Sequence, residues 1–157
     1  MFEQINSFFT IEMIYLWLNL GVLPFWIVLF FFPYSFMSKY LVRSIFPFMI
    51  FSFVYVYLLY YFFISDVNFQ NNFKLYMGLE NLLDLFSEKG FLIMFWCHFL
   101  SVNLFCGAWI VSDSIKLSIS KFLTFLPLLI TYFIGPLGLF IYWLIRIFFA
   151  RRMSLYD

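Results

Sequence analysis

Two stretches of this chain, Ser44 to Ile64 and Phe122 to Ile145, run for 21 and 24 residues without a charged side chain. At about 1.5 Å rise per residue, each is long enough as a helix to cross a hydrocarbon core of ~30 Å. Lipid offers the backbone no hydrogen-bond partner, so such stretches fold as helices that satisfy their own amides. A soluble domain carries charge on about a quarter of its residues. Here 11% of 157 residues are charged and 66% are hydrophobic. The sequence therefore reads as all-α, a polytopic membrane helix bundle in a single domain.

Apolar windows predict four spans, at 11–32, 44–64, 91–111 and 122–149, and no internal repeat. The first holds Glu12 near its start and then Asn19, Gly21 and Pro24, so a kink is expected where Pro24 frees a carbonyl one turn back. It is longer than the apolar part of a signal peptide and lacks a preceding basic stretch, so it is expected to remain as a span. The fourth is interrupted by Pro127 and by Gly135-Pro136-Leu137-Gly138, which divides it into halves too short to span alone. Between the second and third spans, Asp66, Asn68, Gln70, Asn71 and Asn72 mark a turn out of the bilayer. A short amphipathic interfacial helix follows at about 77–87, with Leu79, Leu82, Leu83 and Phe86 on one face and Glu80, Asn81, Asp84, Ser87 and Glu88 on the other.

Charge placement bears on orientation. With the N-terminus outside, Lys39, Arg43, Lys116 and Lys121 lie inside and the acidic interfacial helix outside. Four full spans then put Arg146, Arg151 and Arg152 outside, giving four basic residues inside against five outside. A last segment that turned back at Gly135 to Gly138 would give seven against two. Four full spans are the expectation, because re-entrant segments must be buried in protein.

The net charge of +1 and the absence of any Lys/Arg run exclude nucleic acid as a principal partner. The bilayer itself is the expected environment. Twenty-seven Phe against two Ala points to an AT-rich genome, with a bacterial inner or plasma membrane, or an organelle membrane, as the expected location. Cys97 and Cys106 are nine residues apart, on opposite faces of one helix, and cannot pair with each other. With His98 as the lone histidine, no metal site is expected. No phosphate loop, dinucleotide glycine motif or Ser-His-Asp set is present, so no cofactor is expected either.

The densest polar cluster lies in the third span: Trp96, Cys97, His98, Ser101, Asn103 and Gly107, with Asp113 just past its end. Polar groups in hydrocarbon are costly without partners and are expected to face the bundle interior. His98 and Asn103 stand about 140° apart around the helix, able to flank a cleft between neighbouring helices. Arg146 reads as an interfacial anchor.

The run Trp96-Cys97-His98-Phe99-Leu100-Ser101-Val102-Asn103-Leu104-Phe105-Cys106-Gly107 and the later Thr131-Tyr132-Phe133-Ile134-Gly135-Pro136-Leu137-Gly138-Leu139 carry a resemblance. They resemble the third and fourth spans of the neoxanthin-synthase-like family, named after plant abscisic-acid-deficient mutants. Its bacterial relatives show Trp-x-His-x-Leu-x-x-Asp-Leu-Phe-x-Gly, and the family shares Thr-x-x-x-Gly-Pro-x-Gly-Leu. His98, Gly107, Asp113, Gly135, Pro136 and Gly138 match, and Asn19, Leu23 and Pro24 sit where the first span is expected to show an Asn and a Pro. Two positions depart: the family's Asp is Asn103, and the Arg of a following Arg-Asp pair is Ser112. An Asn cannot exchange a proton near neutral pH.

Plant members of the family are implicated in converting the epoxide carotenoid violaxanthin to neoxanthin. The resemblance therefore implies a carotenoid- or isoprenoid-handling protein of the bacterial type, with an isomerase as the reaction class. Its site is expected in a cleft with His98 as the proton-transferring group and Asn103, Asn19 and Asp113 binding substrate, while Gly107, Gly135, Pro136 and Gly138 form a structural motif in which Gly135 and Gly138 are close-packing or hinge positions. The rival is a non-catalytic scaffold or assembly subunit within a homo- or hetero-oligomer.

Overall fold

The computed structural model describes residues 10–64 and 76–150. Among the described residues there are six α-helices: α1 (Ile11–Phe31), α2 (Phe46–Leu59), α3 (Leu79–Ser87), α4 (Lys89–Lys116), α5 (Lys121–Phe133) and α6 (Gly135–Ala150). Single π-turns precede and follow α2, at Ser38–Val42 and Tyr60–Ile64. Among the described residues there is no strand. The expected turn at Asp66, Asn68, Gln70, Asn71 and Asn72 lies outside them.

Among the described residues, three helical stretches are long and apolar enough to cross a membrane: Ile11–Phe31, Ser38–Phe62 and Lys89–Lys116. They account for the first three expected spans. The second begins earlier than its charge-free window because Arg43 is accommodated within it, its Nε donating to Ser38 Oγ at 3.2 Å. The third runs on past 111 to Lys116, so Asp113 lies inside the helix.

The short helix expected at about 77–87 is present as α3. Its entry is at Gly78, whose φ of 121° is a conformation that side chains resist. Its packed face is rotated from the expected stripe: Leu85 is buried, whereas Leu79 and Leu83 are 70% and 59% exposed. Phe86 fixes that rotation by meeting the rings of Phe91 and Phe95 on α4 at 5.2 and 4.8 Å.

The chain divides into two compact units, Met1–Gly21 with Met49–Leu100, and Val22–Phe48 with Ser101–Asp157. In the first, Leu18, Phe51, Leu58, Ile93, Met94, Cys97 and Leu100 are buried. In the second, Trp26, Leu29, Leu104, Ile110, Leu128 and Tyr142 are buried, and Trp26 lies edge-on to Tyr132 with centroids 5.3 Å apart.

In the second unit the stretch expected as one span at 122–149 is two shorter apolar helices. Here α5 and α6, of 13 and 16 residues, measure roughly 20 and 24 Å, short of a ~30 Å core. The helix stops at Ile134, where φ −140° and ψ 87° leave the helical region, and α6 restarts at Gly135. The chain then reverses. Gly138 comes against Thr131 on α5 so closely that a Cβ on it would overlap the Thr131 hydroxyl and backbone nitrogen. In a straight helix residues seven apart are separated by about 10 Å. Contacts with α4 give the directions: Gly135 lies against Asn103, and Arg146 reaches Asp113, about 15 Å further along α4. At that same end, Ile119 N–H donates to Ser114 O at 2.8 Å just before α5 begins. The two short helices therefore form a hairpin with both ends at the Asp113 end of α4 and its tip beside Asn103. Its buried faces, Thr124, Pro127, Leu128 and Thr131 on α5 and Gly135, Gly138, Tyr142 and Arg146 on α6, follow helical spacing.

Candidate functional site

In the first unit, α4 buries Ile93, Met94, Cys97 and Leu100, and its helical phase turns Phe95 and His98 outward. His98 is exposed, and its one described contact is the Tyr55 ring, at 6.4 Å between centroids. It lies nine residues into α4, about 14 Å from the Lys89 end, which is within the hydrocarbon depth. Cys97, beside it in sequence, is buried, with its thiol directed at Phe51 O, 3.7 Å away.

Asn19 is half-buried and already engaged. Its Nδ2 donates to Tyr15 O at 2.7 Å, and its Oδ1 accepts from Trp96 Nε1 at 3.3 Å. The Tyr15 and Trp96 rings stand 5.8 Å apart. Toward the helix ends, Lys89 Nζ lies 3.5 Å from Glu12 Oε1, both side chains being largely exposed. An exposed pair of this kind contributes ~0–1 kcal/mol.

In the second unit, Asn103 is 3% exposed, and its Nδ2 is buried with no hydrogen-bond partner among the described residues. The carboxamide oxygen lies where a side chain on Gly135 would have to go. Gly107, one turn along α4, faces the Trp26 ring, whose nearest carbon would be 2.7 Å from an added Cβ. Glycines at 107, 135 and 138 thus let an indole, a carboxamide and a helix backbone approach closely. Pro136 is exposed on the first turn of α6, where its missing N–H costs nothing.

Asp113 belongs to a closed cluster. Arg146 Nε donates to its Oδ2 at 2.8 Å and Nη2 to its Oδ1 at 3.4 Å, while the Tyr142 hydroxyl donates to Oδ2 at 2.7 Å. The Trp109 ring meets Tyr142 edge-on at 5.7 Å. Both ionic side chains are buried, at 6% and 9% exposure. Arg146 is therefore no interfacial anchor: an unpaired charge in such a place is expensive, and the only described acid within reach is Asp113. Tyr142, four residues before Arg146 and so on the same face of α6, was not picked out from the sequence. The signal was an arginine inside an otherwise apolar helix, which by itself demands a buried acid.

The residues expected in one cleft therefore have distinct surroundings. His98 and Asn19 belong to the first unit, where His98 meets Tyr55 and Asn19 meets Trp96. Asn103 and Asp113 belong to the second, where Asn103 lies at the hairpin tip and Asp113 at the hairpin's base. Among the described residues no three His, Cys, Asp or Glu side chains converge.

Comparison with known proteins agrees with the resemblance in the third and fourth spans. No curated protein and no solved structure matches the chain. A family model described as ABA DEFICIENT 4-like matches residues 13–142, from the start of α1 to Tyr142 in α6. That match covers most of the chain, including nearly all of the three described helices that could cross a membrane, all of α5 and the first half of α6, and the protein is a member of the ABA DEFICIENT 4-like family.

Proposed function

We propose that this membrane protein handles a carotenoid or another long isoprenoid within the bilayer, with His98 as the group that meets it. The observation that carries the reading is the placement of His98: an exposed imidazole at hydrocarbon depth, with the Tyr55 ring as its one described contact. A polar ring left open to lipid is costly. It is also open to a substrate that arrives sideways through the bilayer rather than from water. An imidazole ring carries two nitrogens, one able to donate and one to accept a hydrogen, as acid–base chemistry at carbon requires. An isomerisation that removes a proton from one carbon and returns one elsewhere needs such a group, and the family's plant members support that reaction class. Asn103 orients rather than exchanges protons.

The test is the bound pigment. Detergent-solubilised protein loaded with carotenoid should show its visible absorption, and His98→Phe should abolish bound pigment or turnover while leaving folded yield intact. Loss of folding with no ligand phenotype would reduce His98 to a packing residue.

A scaffold is the second reading. It is favoured by the self-contained Asp113 cluster and by spans whose apolar windows are only 22% and 17% buried within the chain, at Ile11–Phe31 and Ser38–Phe62. Under it, His98→Phe changes recovery of partner subunits, and Asn103→Asp creates no activity.

A further inference from the structure

Beside Trp96 the first unit holds a groove of about 460 Å³, within the ~300–1,000 Å³ range of small-molecule sites. Its walls are Tyr15, Leu92, Ile93 and Trp96, and its rim carries Glu12 and Lys89. Polarity changes with depth in one direction. Glu12 and Lys89 are the second residue of α1 and the first of α4, so the charges stand where spans leave the hydrocarbon. Trp96 lies seven residues further along α4, about 10 Å deeper, and from there the lining is aromatic and aliphatic. A polar rim above an apolar slot is the outline of an amphiphile standing along the bilayer normal.

We propose that this groove binds one phospholipid whose zwitterionic headgroup ends in a primary ammonium, with phosphate at Lys89, ammonium at Glu12 and an acyl chain along Tyr15, Leu92 and Trp96. The rim charges select that occupant. They are opposite in sign and close together, at 3.5 Å, so a headgroup with both signs satisfies both. An anionic headgroup satisfies Lys89 and leaves its phosphate facing the Glu12 carboxylate. A choline headgroup matches in charge, but its methylated nitrogen has no N–H to donate to Glu12. An uncharged isoprenoid leaves the rim unused. Because the Glu12–Lys89 pair is exposed, exchanging it for headgroup contacts costs little. The site is separate from the proposed role of His98, whose failure would leave it intact.

The experiment uses the full chain in phosphatidylcholine nanodiscs doped, at equal mole fraction, with brominated-chain phosphatidylethanolamine, phosphatidylcholine or phosphatidylglycerol. Bromine quenches indole fluorescence on close approach, and the Trp96 contribution is obtained by difference from Trp96→Phe. Brominated phosphatidylethanolamine should quench that contribution several-fold more than either other lipid. Glu12→Gln should reduce its effect to the phosphatidylcholine level, with the melting temperature measured in parallel to show that this exposed substitution leaves the fold intact. Equal quenching by all three lipids, stronger quenching by phosphatidylglycerol, or a preference that survives Glu12→Gln would overturn the proposal.

Discussion

Arg146 binds Asp113 through two nitrogens across 33 residues of sequence, and this pair ties the last helix to the end of α4. Two buried charges left water to make it, so its parts are unequal to its whole. Removing one partner strands the other in an apolar place. Asp113→Leu or Arg146→Met should each destabilise the folded protein by ~3–5 kcal/mol, whereas the double replacement should recover much of that loss. Tyr142→Phe, which removes one hydrogen bond to the carboxylate, should cost ~1.5–3 kcal/mol. Detergent melting of the four variants checks the ordering. Additive losses in the double variant would show that the two residues act independently.

The hairpin makes a topological prediction. If α5 and α6 return to the side from which they entered, Lys39, Arg43, Lys116, Lys121, Arg146, Arg151 and Arg152 share one side, against Lys74 and Lys89 on the other. The positive-inside rule then places the larger group in the cytoplasm. A cysteine introduced at Asn81, with Cys97 and Cys106 replaced, should be labelled from outside intact cells, and a reporter fused after Asp157 should be cytoplasmic. Four full spans would put both on one side.

Glycine replacements should be graded by what surrounds them. Gly21 has open space around its Cα, whereas a Cβ on Gly138 meets the backbone of Thr131. Gly21→Ala should leave folded yield unchanged. Gly138→Ala should cost ~1–3 kcal/mol, and Thr131→Ala should not rescue it, because the obstructing atoms include backbone. Wild-type thermal stability in Gly138→Ala would show that the two helices are not closed there.

Asn103 gives a prediction of opposite sign. Its buried Nδ2, without a partner among the described residues, costs ~1–3 kcal/mol. Asn103→Leu, similar in volume and lacking that donor, should raise the melting temperature, while Asn103→Asp should lower it by burying a charge. A variant that gains stability and loses bound pigment would mark Asn103 as a position kept for ligand rather than for folding.

The long spans were legible in the sequence because the property that makes them, uninterrupted apolar length, is local. The hairpin was only half legible. Gly135-Pro136-Leu137-Gly138 announces a break, but a break allows either a kink followed by onward travel or a reversal. The choice depends on the approach of Gly138 to Thr131 and on the partner of Arg146, and neither is written in the tetrapeptide. The rotation of α3 was hidden for a related reason: its periodicity is compatible with several apolar faces, and Phe91 and Phe95 of the next helix select the one centred near Leu85. Among the site residues, His98, Asn103 and Asp113 stood out by being polar in apolar surroundings, while Tyr142 looked like one more aromatic.

A hairpin that begins and ends on the same side also sets an order of assembly. Neither of its helices is long enough to be held in a bilayer alone, and its single buried cation is neutralised by an acid on α4. Chain synthesis delivers α4 before α5 and α6, so the acid is already standing in the membrane when the arginine arrives. The last quarter of the protein is therefore installed against a finished wall. Asp113 stands where the arriving arginine is neutralised: a chain without it brings Arg146 to an apolar wall with no described acid to meet it.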